Sequence, residues 1–166
     1  MKLLFLFLFA LLILPLAFLN AQDRGSSMEL LPDTLYDVSN RVVSKTTLDG
    51  KIIGLYFSAN WCPPCRAFTP KLIDFRNRFQ DEFEVVLINF DRDSAAQSKY
   101  MAKYQMPWLV TEHRSQEAQA LQQRFRVAGI PTLIIIGPDG QTLSTQGYRE
   151  VRRYPKAALE QWKSRL

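Results

Sequence analysis

The only two cysteines of this 166-residue chain lie in one short segment, Trp61-Cys62-Pro63-Pro64-Cys65. An apolar run over residues 52–57 precedes the pair, and an amphipathic stretch that indicates a helix follows it. A pair at this spacing, on the first turn of a helix that follows a strand, can close into a small disulfide and reopen. The segment therefore restricts the fold to one that sets a helix N-terminus directly after a strand, and it predicts redox chemistry.

Strands alternate with helices along the rest of the chain. The predicted elements are a small hairpin over 36–43, strand 52–58, a helix with Phe68, Leu72, Phe75 and Phe79 on one face, strand 84–90, helices 94–104 and 115–125, strand 132–136, a returning strand 141–147 and a last helix over about 150–165. Pro70 is expected to kink the first of these helices. Strand 52–58 is apolar on both faces, as in the centre of a mostly parallel sheet. The order predicts an α/β sandwich around one mixed sheet.

The beginning of the chain is a different kind of sequence. Met1-Lys2 is a short positive region, and residues 3–19 are almost wholly Leu, Phe, Ile and Ala. This layout predicts a secretory signal peptide over residues 1–21; an uncleaved anchor is the alternative, although the apolar run is at the short limit for spanning a bilayer. A flexible lead over 22–33 and one domain over 34–166 are expected to follow. Export predicts a compartment where disulfides persist, the bacterial periplasm.

Composition and charge narrow the classes of function. Apolar residues make up 47% of the chain, which indicates a globular protein. The formal charge of +5 is mild, and the basic residues are scattered, with only Arg152-Arg153 adjacent. We interpret them as a solvated surface and expect no nucleic-acid partner.

The position of the pair predicts different roles for its two thiols. Unpaired N–H groups and the dipole at a helix start favour negative charge, so we expect Cys62 to ionise and to attack a substrate disulfide. Cys65, one turn further into the helix, is expected to attack the mixed disulfide and release the reduced product. Pro63 and Pro64 suit a first helical turn, where their missing N–H groups have no intrahelical partner. Trp61 offers an apolar rim for a substrate backbone.

Two other uses of a C-x-x-C pair are weaker. A zinc site needs two more ligands, but the chain has no further cysteine and His113 is its only histidine. A purely structural disulfide over so short a loop would constrain the unfolded chain little. We therefore expect neither a metal nor another cofactor. Arg66 either adds positive charge beside the pair or is an ordinary solvated residue of the helix.

The motifs together resemble a known family. Residues 56–70, with the pair at their centre, are similar to the tryparedoxin and nucleoredoxin branch of the thioredoxin superfamily. So are Met106-Pro107-Trp108 and Gly129-Ile130-Pro131-Thr132. The resemblance covers roughly residues 34–165. It implies a thioredoxin-like three-layer sandwich, with a central mixed β-sheet flanked by helices.

The resemblance also implies roles for residues far from the cysteines in sequence. It implies a cis peptide bond between Ile130 and Pro131, with the Ile130 main chain offered to an extended substrate. An ordinary trans proline at a strand start is the alternative. Gly147 resembles a family glycine whose small size permits close approach near the site. Trp108 either lines the site or packs in the core.

The sequence departs from thioredoxin proper at two places. Thioredoxin has a buried aspartate six residues before the first cysteine, the proton acceptor for the second cysteine, and Tyr56 stands at that position here. Either the Cys65 thiol loses its proton by another route, through water or a different carboxylate, or Tyr56 only packs. The Pro63-Pro64 pair replaces Gly-Pro, so the reduction potential of thioredoxin cannot be carried over.

These features predict a thiol–disulfide oxidoreductase that reduces protein disulfides outside the cytoplasm. Its expected partners are disulfide-bearing protein clients and a membrane or periplasmic thiol relay that supplies electrons, and we expect a monomer. The alternatives are an oxidase that runs the same site backwards, a module that binds an extended peptide without turnover and, more weakly, a peroxide reductase. Strong oxidants of the superfamily carry a large helical insertion, and the segment between Asp91 and Ser115 is too short for one. This favours the reductase.

Overall fold

The structure, a computed structural model, describes residues 27–166, and a seven-stranded mixed sheet lies at its centre. The strands are β1 (Thr34–Tyr36), β2 (Val42–Ser44), β3 (Ile52–Ser58), β4 (Phe83–Asn89), β5 (Leu109–Thr111), β6 (Thr132–Ile136) and β7 (Thr142–Ser144). The helices are α1 (Ser27–Leu30), α2 (Pro63–Arg78), α3 (Ser94–Tyr104), α4 (Gln116–Arg124), α5 (Gly147–Arg153) and α6 (Ala158–Lys163), with a 3₁₀ turn over Lys45–Leu48.

The sheet topology brings two strand ends together. The strand order is β2-β1-β5-β4-β3-β6-β7. β3 pairs in parallel with β4 and antiparallel with β6, and both β3 and β4 are buried along their whole length. The prediction of two central strands is therefore confirmed. Because β3 and β4 run in parallel, the loops that follow Ser58 and Asn89 meet at one edge of the sheet.

Helices cover both faces of the sheet and make three layers. Side chains alternate along a strand, so Tyr56 of β3 faces one core and Phe57 faces the other. The first core is closed by α2, α3, α5 and α6, and the second by α4, the 3₁₀ turn and Leu31. The predicted mixed sheet flanked by helices is thus confirmed.

Helix α2 carries the cysteine motif at its start. Pro63 and Pro64 occupy its first two positions, and the helix continues through Pro70 as a single element of 16 residues. Its buried face includes Phe68 and Leu72, which pack in the first core. Burial of this face fixes the helix on the sheet and so fixes where its N-terminus points.

The end of the chain differs from the prediction. The returning strand is shorter than residues 141–147, and Gly147 begins α5 instead of ending β7. The predicted helix over 150–165 is two helices, α5 and α6. Pro155 explains the break, because a proline disfavours helical backbone at the residue before it, and Tyr154 has non-helical dihedral angles.

The start of the described chain also differs from the prediction. The predicted signal peptide or anchor over residues 1–21 lies outside the described residues. Within residues 27–166, no helix is long and apolar enough to cross a membrane. Leu31, near the end of the predicted flexible lead, is buried in the second core, and its carbonyl accepts a hydrogen bond from Lys45 at 3.2 Å. The flexible lead therefore ends earlier than residue 33.

Candidate active site

The cysteine pair lies where β3 ends and α2 begins. Cys62 is the N-cap residue of α2, and it forms a disulfide with Cys65, with the two Cα atoms 5.2 Å apart. The Sγ atom of Cys62 accepts a hydrogen bond from the N–H of Cys65 at 3.3 Å. That N–H is one of those that a helix leaves unpaired at its start. The predicted location of the pair at a helix N-terminus is confirmed.

A small apolar cluster surrounds the disulfide. Cys62 is 3% exposed and Cys65 is fully buried. Ala59 and the partly buried Phe90 and Ile130 pack against them. The two prolines between the cysteines are exposed on the first turn of α2. The sulfur atoms are therefore shielded from water on several sides while the motif itself stays at the surface.

The loop before β6 faces the cysteines. The peptide bond between Ile130 and Pro131 is cis, as the resemblance implies. The carbonyl oxygen of Ile130 lies 3.8 Å from the Sγ atom of Cys62. The antiparallel register sets Thr132 opposite Phe57, so the start of β6 lies beside the end of β3. This register brings the two distant motifs of the sequence into one site.

A groove of about 210 Å³ opens beside this loop, and we call it the Trp61 groove. Its lining includes Trp61, Phe90, Ile130 and the segment 127–129. Trp61 is 62% exposed, and its Nε1–H donates to the carbonyl of Phe90 at 2.9 Å, which holds the indole at the rim. The groove is open and its lining is mostly apolar, which suits the apolar side chains of an extended peptide.

Asp91, which the motifs do not single out, anchors the loop that precedes the cysteines. Its carboxylate is buried and accepts the main-chain N–H of Asn60 at 3.0 and 3.1 Å and the side-chain amide of Asn89 at 2.9 Å. The carbonyl of Asp91 lies 2.9 Å from Nε2 of His113. In the sequence, the signal for this anchor is a carboxylate directly after the predicted strand 84–90, at the sheet edge where β3 also ends.

Arg66 supports the same loop. Its Nη1 donates to the carbonyl of Asn60 at 2.8 Å, and the side chain is half-buried. Arg66 is therefore not an ordinary solvated residue of the helix, and its hydrogen bond goes to the loop before the motif. Together with Asp91, it holds Asn60 from both its N–H and its carbonyl side.

Tyr56 belongs to a buried network of hydroxyl groups under the second cysteine. Its hydroxyl lies 3.2 Å from the carbonyl oxygen of Cys65 and 3.1 Å from Oγ1 of Thr69. Thr69 Oγ1 lies 2.7 Å from the Tyr100 hydroxyl, which lies 3.0 Å from Oγ of Ser58. Burial raises the pKa of Tyr56 well above its usual range, and burial raises the pKa of Tyr100 as well. Tyr56 thus stays protonated at neutral pH, so it cannot serve as a base.

Trp108 and Gly147 support the site from the core. Trp108 is 2% exposed and packs edge-on against Tyr56, with ring centroids 6.3 Å apart, so it does not line the groove. Gly147 is buried against β6, where a Cβ atom would lie 2.8 Å from the carbonyl oxygen of Leu133. Its small size thus permits a close approach to β6, two residues after Pro131, and not to the cysteines themselves.

Potential metal ligands are dispersed. Among residues 27–166, no group of three or more His, Cys, Asp or Glu side chains could hold a metal ion. Both cysteines are joined in the disulfide, and His113 contacts a main-chain carbonyl. The chemistry that the described site offers is therefore that of the disulfide.

A redox-capable disulfide at a helix start, opposite a cis-proline loop on a central mixed sheet, defines the thioredoxin-fold class of thiol–disulfide oxidoreductases. Residues 50–142 match the family model described as thioredoxin-like. The chain therefore belongs to the thioredoxin-like family, in the branch that contains nucleoredoxins and tryparedoxins. Homologues in this branch are thiol–disulfide oxidoreductases.

Curated relatives and solved structures support this assignment. Probable nucleoredoxin 3 of Oryza sativa subsp. japonica is 39% identical over 123 residues, which cover 71% of this chain and 26% of the relative. Nucleoredoxin of Danio rerio is 30% identical over 141 residues, which cover 82% of this chain and 33% of the relative. The chain thus spans about a quarter to a third of the length of these relatives. Tryparedoxin from Trypanosoma brucei is 38% identical with a TM-score of 0.73, covering 83% of this chain and 99% of that one. Tryparedoxin II complexed with glutathionylspermidine is 35% identical with a TM-score of 0.70, and the match covers 78% of this chain and 92% of that one.

Proposed function

We propose that the protein reduces the disulfides of other proteins outside the cytoplasm, through a mixed disulfide with Cys62. The observation that carries the proposal is the position of the Cys62 sulfur. It lies at the start of α2, 3.8 Å from the carbonyl of Ile130 and beside the Trp61 groove. A client cysteine that reaches this sulfur can run its backbone along Ile130 as an added strand.

The reaction has two exchange steps. In the reduced protein, the N–H of Cys65 and the start of α2 favour the Cys62 thiolate over the thiol. This thiolate attacks one sulfur of the client disulfide; the bond to Cys62 forms, and the other client sulfur leaves as a thiolate and takes up a proton. Cys65 then attacks the Cys62 sulfur as a thiolate, which forms the intramolecular disulfide and releases the second client thiol. Two electrons pass from the pair to the client.

The proton of Cys65 needs an acceptor other than Tyr56. The phenol stays protonated, and its hydroxyl contacts the main-chain carbonyl of Cys65 and the side chain of Thr69. The carboxylate of Asp91 is already occupied by hydrogen bonds from Asn60 and Asn89. We infer that Cys65 loses its proton to water before it attacks, and that the client thiolate takes up a proton as it leaves.

Electrons must be returned to the pair after each turnover. A soluble reductant pool is lacking outside the cytoplasm, so we infer a membrane or periplasmic thiol relay as the donor. Residues 1–21 support export, and we propose the bacterial periplasm as the destination. We propose a monomer as the working form. N-terminal sequencing of the exported protein should begin at Gln22; recovery of the uncut chain in membranes would support the anchor instead.

The short connection between β4 and α4 supports reduction as the direction of the reaction. In this described part of the chain, only α3 and β5 intervene, and neither makes a large helical insertion. The insertion of strong oxidants is thus lacking here, and reduction is favoured over disulfide formation.

Reduction of insulin by dithiothreitol tests the activity. The wild-type domain should accelerate the reaction, and Cys62→Ser should not. Equal acceleration by Cys62→Ser would contradict an enzymatic role for the pair. Equilibration with glutathione then gives the reduction potential. A value of about −120 mV, as in a strong oxidant, would contradict the proposed role as a reductant.

A further inference from the structure

A second depression adjoins the cysteine motif, and none of the residues of the Trp61 groove lines it. It consists of two cavities of about 210 and 270 Å³ that share Lys71 of α2 and Arg152 of α5. Pro64, beside Cys65, lines the first cavity, and Arg78 lines the second. We call this depression the basic trough. It begins within the cysteine motif and continues along the surface between α2 and α5.

The trough carries positive charge that the rest of the structure does not neutralise. Lys71, Arg78 and Arg152 line it, against the single carboxylate of Asp74. Within residues 27–166, none of these three basic side chains forms an ion pair. By contrast, the charge of Arg76, on the same helix, is neutralised by an ion pair with Glu84. The trough therefore presents cations to a ligand from outside.

One of these cations is held in position. Arg152 donates from Nη1 to the hydroxyl of Tyr148 at 2.8 Å, and its guanidinium lies 5.2 Å from the centroid of that ring. The Tyr148 ring packs in turn against Phe68 of α2, with centroids 4.8 Å apart. A positioned guanidinium can bind a carboxylate with less loss of side-chain entropy than a freely moving one.

We propose that the basic trough binds an acidic segment of the client protein, next to the cysteine that Cys62 attacks. The inference rests on the proposed function, since it assumes a client joined at Cys62. Pro64 belongs both to the motif and to the trough, so residues that flank the joined client cysteine come within reach of Lys71 and Arg152. Carboxylates on that flank would be recognised by charge and by the guanidinium fork, whereas basic flanks would be repelled. The trough thus selects among clients that the Trp61 groove would accept equally.

Model peptides test this selection. Three disulfide-linked peptides are identical except for residues on both flanks of the attacked cysteine, which are glutamates, serines or lysines. With the wild-type domain, kcat/KM should be about tenfold higher for the acidic peptide than for the neutral one, and lower still for the basic one. The difference should shrink as salt is added, because the contacts are exposed.

Matched double variants separate the trough from the overall charge. Lys71→Gln with Arg152→Gln should bring the ratio of acidic to neutral kcat/KM close to one. Lys103→Gln with Arg124→Gln removes the same charge from exposed positions on α3 and α4, and should keep the ratio. Equal rates for the three peptides with the wild type, or an equal loss in both double variants, would overturn the inference and leave the proposed function standing. Failure of the wild type to reduce any peptide would overturn the proposed function and this inference with it.

Discussion

Both carboxylate oxygens of Asp91 accept the main-chain N–H of Asn60, at 3.0 and 3.1 Å. This contact joins the end of β4 to the loop that leaves β3, across the edge where the two parallel strands finish. The loop leads directly into Trp61 and Cys62. The geometry of the disulfide and its groove is thus determined in part by a buried carboxylate whose hydrogen bonds go to Asn60 and Asn89 and not to the cysteines.

Replacing Asp91 with alanine should weaken both stability and turnover. The N–H of Asn60 and the side-chain amide of Asn89 would lose their acceptor, which costs about 2 kcal/mol in the free energy of unfolding for buried groups. Urea unfolding and insulin reduction measure the two effects. Asp81→Ala, at an exposed turn position, is the control. Equal urea midpoints for the two variants would contradict the anchoring role.

The buried phenol of Tyr56 predicts a stability change at alkaline pH. The unfolded chain releases the tyrosine proton near pH 10, whereas burial raises the pKa in the folded state, so the folded protein keeps it. The contribution of this burial to stability is therefore complete below about pH 10 and is lost as pH rises above it. Tyr56→Phe should reduce the slope of unfolding free energy against pH by up to about 1.4 kcal/mol per pH unit. Identical slopes for wild type and variant between pH 10 and 11 would contradict the raised pKa.

A methyl group at Gly147 should disturb the strand that carries the cis-proline loop. The added Cβ would lie 2.8 Å from the carbonyl oxygen of Leu133 and 2.7 Å from a methyl of Ile135, so α5 or β6 must shift. Overpacking of this kind lowers the free energy of unfolding by about 2 kcal/mol. Gly129→Ala is the matched control, since its Cβ would meet no atom within 4 Å. Thermal or urea unfolding compares the stabilities of the two variants. A Gly147→Ala protein as stable as Gly129→Ala would contradict the close packing of α5 against β6.

The local part of the site could be predicted from sequence, and its supporting contacts could not. The disulfide and the helix start follow from a short motif in which neighbouring residues act together, and the cis bond before Pro131 follows from the family resemblance of a second short segment. The Asp91 anchor and the contact between Thr69 and Tyr100 join residues far apart in the chain. Such pairs depend on strand register and helix packing, which no local pattern encodes.

The fold shows the same division. α3 and the strands β3 and β6 have the predicted bounds, because continuous apolar runs and an Asp93 N-cap mark them locally. The first hairpin is shifted by up to two residues from the prediction, since a short exposed strand leaves its register weakly specified. No predicted element covers β5, whose pairing with both β4 and β1 is a long-range property.

The exposed Trp61 ring should contribute to client binding more than to stability. Trp61→Ala removes the rim of the groove and should raise KM for insulin several-fold. The urea midpoint should change little, because Trp61 is 62% exposed. Trp61→Phe keeps a ring but loses the hydrogen bond to the Phe90 carbonyl, so it should fall between wild type and Trp61→Ala. A small aromatic disulfide as substrate is the control. Equal losses with insulin and with the small disulfide would contradict a role for the ring in holding the client.

The different positions of the two cysteines predict which variant traps a client. Cys62 lies at the start of α2 beside the Ile130 loop, whereas Cys65 is fully buried one turn into the helix. Without the Cys65 thiol, the bond between Cys62 and the client cannot be resolved from within the protein. Cys65→Ser should therefore accumulate mixed disulfides in an extract of exported proteins. They should appear as extra bands on non-reducing gels and disappear when the sample is treated with dithiothreitol.

Cys62→Ser, which leaves only the buried thiol, should form far fewer of these bands, and the double serine variant should form none. More trapping by Cys62→Ser than by Cys65→Ser would reverse the assigned order of attack. The absence of trapped clients from both would favour a protein that binds an extended peptide without exchange. Sequencing the clients that Cys65→Ser traps, around the joined cysteine, would give the client class. Acidic residues on both sides of that cysteine would agree with the charge of the basic trough.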